Sequence, residues 1–229
     1  FSRNEFDPIS TKGAWAGEIG MVQMLPKDIL ENGVDADGDG KINLQSSASD
    51  ALFSAAKMLK SLGWQANKPW LQEVTLTKEI DWFDTGTDKI KTVKEWRNLG
   101  ITGRYIDLPD GSFNASLIIP QGRKGPKFLA YSNFHVFFEW NKSFIYVLTA
   151  AHFANRLEGS PAFSPGNPDK GLNKNQMKVL QTKLKNLGYE VGQIDGILGA
   201  KTRRSIQEVQ RALKEPADAW PTIGLLEIF

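Results

Sequence analysis

Between Glu158 and Gly171 the chain reads EGSPAFSPGNPDKG, and this stretch limits what can be built on either side of it. Proline removes a backbone donor and glycine widens backbone freedom, so neither a helix nor a paired strand is expected to run through three of each in fourteen residues. The segment over 159–171 reads as a linker. It separates a larger region over 1–158 from a short tail over 172–229.

The larger region carries mixed patterning. From Asp50 to Leu62, the residues Leu52, Ala55, Ala56, Leu59 and Leu62 recur at helical spacing, and Gly63 stands where a helix would end. From Ser143 to Leu157 apolar residues occur on every face, which predicts a buried central helix. Between them, Leu71–Leu76, Phe113–Ile119 and Phe134–Phe138 read as strands, with Pro109-Asp110-Gly111 and Gly122 as turn signals. The expected fold is mainly α (α+β): a helical core with a small β-rich insertion over about 70–138. In the tail, Asn173 and Gln176 form a capping pair ahead of Met177, Leu180, Leu184 and Leu187. A second helix is expected from about Ala200, aligning Thr202, Ile206, Val209 and Leu213. A third short piece runs from Ile223 to Phe229, completing a small three-helix domain.

The 28 basic and 26 acidic side chains are interspersed for a net charge of +2, which argues against nucleic acid as partner. The absence of cysteine excludes disulfides and thiolate metal sites. No apolar run reaches membrane-spanning length. The seven tryptophans and thirteen phenylalanines suit an irregular core, and they equally suit a sugar-binding groove. His135 and His152 both sit in apolar runs, as core residues do.

One loop carries a specific chemical pattern. Asp35, Asp37 and Asp39 alternate with Ala36 and Gly38, and Gly40, Lys41 and Ile42 follow. Three carboxylates turned inward repel one another unless a cation sits among them, and calcium takes six to eight oxygens. The pattern matches the first half of an EF-hand loop, with the Lys41 carbonyl as a backbone ligand. The twelfth position is Ser46 rather than glutamate, so Asp50 is the nearest candidate for the missing carboxylate. The metal set is therefore Asp35, Asp37, Asp39, Lys41 and Asp50, with Ca2+ in a structural role. The alternative is a solvated Asp-Gly turn.

The run from Pro8 to Pro26, PISTKGAWAGEIGMVQMLP, resembles the active-site segment of the B-type lytic murein transglycosylases, glycoside hydrolase family 103. Family members carry a similar KGS-aromatic-AGAMG-x-x-QFMPS stretch ahead of an aspartate-rich calcium loop. The order continues through Gly63-Trp64, Glu95-Trp96, Leu99-Gly100, Gly125-Pro126, Phe128-Leu129 and Asn133-Phe134, and then an aromatic before Asn141. In the tail, Leu180-Gln181, Leu187-Gly188-Tyr189, Asp195-Gly196, Gly199 and Thr202 resemble a peptidoglycan-binding domain. Much of that second signature serves the fold.

The resemblance implies a lysozyme-like fold, a periplasmic location in a Gram-negative bacterium, and peptidoglycan strands with their stem peptides as partner. It also implies a reaction in which one glutamic acid protonates the bond between N-acetylmuramic acid and N-acetylglucosamine. The sugar's own 6-hydroxyl then closes a 1,6-anhydro product, so no second catalytic carboxylate is needed. Gln23, Asn141 and Tyr146 match family cleft positions, and Trp140 replaces a tyrosine there. A glutamine amide suits an acetamido group, and the rings of Trp140 and Tyr146 suit pyranose faces.

The family's acid lies upstream of the Trp15-Ala16-Gly17 motif, and Glu5 is too close to match it. No catalytic residue is therefore expected in this chain, and the chain alone is expected to be inactive. Glu18 stands where the family has alanine and is expected to be a solvated substitution rather than a replacement acid. Ala14 stands in place of the family serine. Two further readings stay open: a non-catalytic wall-binding scaffold with a degenerate cleft, and a calcium sensor.

Overall fold

The computed structural model describes residues 11–229; Glu5 and the motif residues Pro8 to Ser10 lie outside them. The chain forms two compact units, 1–66 and 67–229. In the first, helix α1 (Pro26–Asn32) and helix α2 (Ala48–Ser61) flank the acidic loop. Ser47 caps α2 by accepting from the Asp50 N–H, and Gly63 follows the helix at a positive φ of 104°. The buried stripe of α2 is Ala51, Ser54, Ala55 and Met58, while Leu52 and Phe53 face outward. The face expected from Leu52 and Leu62 is therefore rotated. Asp50 sets the rotation: its carboxylate points inward and accepts from the N–H groups of Ala36 and Asn43.

The second unit is built on a five-stranded antiparallel sheet of order β2-β4-β5-β1-β3, comprising β1 (Leu71–Leu76), β2 (Ile90–Thr92), β3 (Ile101–Gly103), β4 (Asn114–Ile118) and β5 (Phe128–Tyr131). Alternate residues face opposite sides. Leu117, Leu129 and Tyr131 join Val74, Val93, Trp96 and Ile101 on one face. Ile118, Phe128 and Ala130 join Leu71, Phe134, Val147 and Ala151 on the other. Both faces are covered, which is why β5 is a continuous apolar run and β4 is buried from Ala115 onward. Helix α3 (Val93–Asn98) starts with a Thr92–Glu95 capping box and buries Trp96, whose indole N–H donates to the Ala115 carbonyl at 2.9 Å.

Two expectations fail here. Phe134–Phe138 is not a strand but part of helix α4 (Ser132–Trp140), because Phe134, Phe137 and Phe138 lie at i, i+3 and i+4 and pack as one helical stripe. Helix α5 (Phe144–Leu157) is not a buried central helix. Only Val147 and Ala151 are sealed, and Ile145, Phe153 and Leu157 stand exposed.

The tail folds as helices α6 (Lys174–Asn186), α7 (Ala200–Ala212) and α8 (Ile223–Glu227) around Met177, Leu180, Leu184, Val191, Ile206, Val209 and Leu225. The Asn173–Gln176 capping box forms as expected. The segment over 159–171 has no helix or strand, yet it is fastened along its length. Ser164 N–H donates to Glu73, Phe163 packs edge-on against Phe128 and His152, and Asn167 N–H donates to the Lys124 carbonyl. Helix α7 also packs against the sheet region. The Gln207 side-chain amide reaches the carbonyls of Trp82, Thr85 and Ala217 and the Thr85 hydroxyl, and Arg204 pairs with Asp88.

Candidate functional site

The Gly13–Met24 motif folds into a small looped structure closed by bridges Gly13↔Ile19 and Ile19↔Met24. Gly20 has a positive φ of 79°, and a Cβ there would lie 2.5 Å from Leu44, so side chain and backbone both require glycine. Gln23 also has a positive φ, 52°, which a residue with a Cβ rarely adopts. Its backbone N–H and its side-chain amide both donate to the Gly20 carbonyl, at 3.2 and 2.7 Å, and the side chain stays exposed. A strained glutamine held open to solvent inside a tight turn is a feature that the fold alone does not demand. Trp15, not among the expected cleft residues, stands 99% exposed in the same loop. The signal for it was an indole bracketed by Gly13 and Gly17.

Glu18 departs from expectation. One of its carboxylate oxygens, Oε2, is out of water and has no hydrogen-bond partner among the described residues. Such an atom costs about 1–3 kcal/mol in lost hydration. Glu18→Ala is therefore expected to leave stability unchanged or raise it by up to about 1 kcal/mol in urea unfolding. A clear loss of stability would mean that the carboxylate has a partner after all.

The acidic loop brings Asp35, Asp37 and Asp50 together, with one oxygen of each within 4.8 Å of the others. Gly38 and Gly40 take positive φ values of 77° and 86°, so Asp35 can accept from the N–H groups of both. Asp39 lies outside this trio. Its Oδ1 accepts from the Lys41 N–H at 2.8 Å, which holds the carboxylate along the loop rather than across it. Asp50, 1% exposed, accepts at 2.8 and 2.9 Å from Ala36 and Asn43, one bond on each oxygen. The Asn43 N–H above all holds the Asp50 carboxyl below its ordinary range, against the opposing effect of burial. An all-oxygen, carboxylate-rich donor set fits a hard cation such as calcium.

In the second unit, Trp140, Asn141 and Tyr146 come together where α4 gives way to α5. The Phe137 ring sits 5.8 Å from Trp140, edge-on, and 6.2 Å from Tyr146. Asn141 accepts from the Ser143 N–H at 2.9 Å through Oδ1, which orients its amide. Tyr146 is about half exposed and Trp140 partly so. Phe137 organises both rings, a role its sequence position did not suggest. Gln23 belongs to the first unit. The histidines behave as packing residues: His135 lies 3.2 Å from the Ser116 hydroxyl with its pKa lowered by burial, and His152 stacks edge-on against Phe163 at 4.8 Å.

In the tail, buried Gln181 explains much of the second motif. Its amide reaches Ile197 O and Thr202 Oγ1 and accepts from the Gly196 N–H, and a Cβ at Gly196 would meet the Lys174 carbonyl at 2.6 Å. The Gln, Asp-Gly and Thr positions thus form one buried knot that holds the module together.

A motif loop closed by two bridges, a five-stranded antiparallel sheet flanked by helices, and a three-helix tail docked on that sheet region are the features to be matched with known proteins. Residues 1–155 match the transglycosylase SLT domain and residues 173–222 match the putative peptidoglycan binding domain. The chain belongs to the SLT transglycosylase family, B type, with a C-terminal peptidoglycan-binding domain. Over 58 residues it is 41% identical to membrane-bound lytic murein transglycosylase B of Escherichia coli K12, a quarter (25%) of this chain and 16% of that protein. The crystal structure of SltB3 from Pseudomonas aeruginosa, in complex with NAG-anhNAM-pentapeptide, superposes with a TM-score of 0.87 at 34% identity. That match covers 99% of this chain and 62% of SltB3. Soluble lytic transglycosylase SltB1 of the same organism gives a TM-score of 0.58 at 27% identity, covering 69% of this chain and 54% of that one. The chain thus spans less than two thirds of the length of these relatives.

Proposed function

We propose that this chain is the glycan-holding part of a periplasmic lytic transglycosylase that cleaves the MurNAc–GlcNAc β-1,4 bond of peptidoglycan to 1,6-anhydro-muramoyl products. The observation that carries the reading is the exposed, strained Gln23 in a loop with the family motif. One of its two amide N–H groups is held by the turn, and the side-chain carbonyl is the acceptor offered to a substrate acetamido N–H. Trp140 and Tyr146, propped by Phe137, offer ring faces to pyranose units, and Asn141 offers a positioned amide.

Bond cleavage needs one carboxylic acid beside the glycosidic oxygen, protonated at neutral pH by a semi-apolar setting. No carboxylate of this chain matches the family's acid, and Glu18 occupies an alanine position. Calcium, held by Asp35, Asp37 and Asp50, would neutralise the carboxylates and hold the loop between α1 and α2 in one shape.

Sedimentation with insoluble, purified peptidoglycan tests both parts. The chain is expected to co-sediment, and Trp140→Ala with Tyr146→Ala to weaken binding about thirtyfold, at about 1 kcal/mol for each lost ring contact. Mass spectrometry of the supernatant is expected to show no anhydro-muropeptides. Unchanged binding by the double variant would remove the aromatic cluster from the glycan site. Anhydro products released by this chain would show that it holds an acid after all.

A further inference from the structure

Between α7 and the wall formed by β4, α4 and the start of α5 lies a cavity of about 420 Å³, within the size range of small-molecule sites. Ile118, Ile119, Phe138, Phe144 and Ala200 give it apolar walls, and Arg203 contributes the cation. The other charged groups around it are already matched: Arg204 with Asp88, and Lys201 with Glu190 at 3.5 Å. Arg203 is not. Of its five N–H donors, one makes a hydrogen bond among the described residues, from Nη2 to the Pro120 carbonyl at 2.8 Å. Its guanidinium carbon lies 5.0 Å from the centre of the Phe144 ring. Its Nε is out of water with no partner among the described residues. Asp218 attracts it, but the Asp218 oxygens accept from Arg123 N–H, Trp220 N–H and the Gln210 amide instead. Arg203 also lines a second cavity of about 460 Å³, bounded by Leu148, His152, Phe163 and Trp220.

A half-buried guanidinium whose Nε is dry and unpaired is costly, and an apolar side chain of similar length would fill the joint at less cost. A planar fork with spare donors suits one class of group above others, the carboxylate, which it can grip through two parallel bonds. We propose that this cavity binds a small amphipathic carboxylate, an apolar body seated against Phe138, Phe144 and Ile118 with its carboxylate on Arg203. The site is distinct in chemistry from the glycan-facing residues, and carboxylate binding there does not depend on glycan cleavage.

The test uses the 229-residue chain with octanoate as probe and octanol as its uncharged counterpart, followed by calorimetric titration and by backbone amide shifts. Octanoate is expected to bind saturably, with shifts at 85–88 and 200–204, and octanol to bind about tenfold or more weakly. Arg203→Gln is expected to reduce octanoate to the octanol level. Ala200→Phe, at the exposed first turn of α7, is expected to block the cavity while Arg203 remains, and it carries the test if the Arg203 variant does not fold. Equal binding of octanol and octanoate, wild-type affinity in the folded variants, or no saturable binding at all would each overturn the assignment.

Discussion

Replacing Gln207 by leucine is expected to loosen the joint between the C-terminal helices and the sheet region, at a cost of about 2–4 kcal/mol in urea unfolding. Gln207 is 6% exposed, and its amide nitrogen lies 3.1–3.3 Å from Trp82 O, Thr85 O, Thr85 Oγ1 and Ala217 O. One NH2 group has two protons, so these acceptors share two bonds' worth of stabilisation, and the cost corresponds to two acceptors left dry. Leucine has nearly the same volume, so lost hydrogen bonding dominates over any cavity. The local consequence is testable as well. Lys170 is exposed in the segment fastened between the two parts, and trypsin is expected to cut after it faster in the variant than in the parent chain. Equal cleavage rates and an unchanged unfolding midpoint would show that the amide does not hold the joint.

Asp50→Asn is expected to cost about 1.5–3 kcal/mol and to abolish any rise in melting temperature on adding calcium. The first effect follows from losing a charged acceptor for the N–H groups of Ala36 and Asn43, and the second from losing one member of the Asp35–Asp37–Asp50 trio. The pH dependence has a definite sign. The folded-state pKa of Asp50 lies below that of the unfolded chain, so its contribution is complete above the ordinary aspartate pKa of about 3.9. That contribution is lost as pH falls through the lower folded value. Acid unfolding of the parent chain should therefore steepen below about pH 4, and the Asp50→Asn variant should lack that component. A variant that still gains stability from calcium would place the ion elsewhere.

Much of this architecture was legible in the residues themselves. The Asn173–Gln176 capping box, the Leu71–Leu76 and Phe113–Ile119 strands and the clustering of Asp50 with the acidic loop each rest on local signals, namely a cap spacing, apolar strand-length runs and alternating carboxylates. The misreadings share one cause, an apolar pattern that does not record direction. Phe134–Phe138 is so uniformly aromatic that period two and period 3.6 cannot be told apart, and contact with β5 selects the helix. Leu52 looked like a core residue because nothing in the apolar pattern reveals that Asp50 is drawn inward by two backbone donors. The docking of α7 was invisible for a related reason. Gln207 is polar, and its burial by hydrogen bonding leaves no trace in hydropathy. Trp140 and Tyr146, singled out in the sequence as ring faces, both lie against Phe137, while Phe137 as their support and the Glu18 oxygen without a partner among the described residues emerge only from packing.

The outward side of α7 is committed to its neighbour, and this limits how the gene can be rearranged. A peptidoglycan-binding tail joined by a bare tether can be exchanged between enzymes as an independent cassette. Here, cutting near residue 171 would expose the Gln207 amide on one fragment and strip Trp82 and Thr85 of their cover on the other. A chimera that imports a foreign tail must therefore bring a matching 82–88 loop with it, so recombination within this family is expected to respect the pair of surfaces rather than the proline-rich seam.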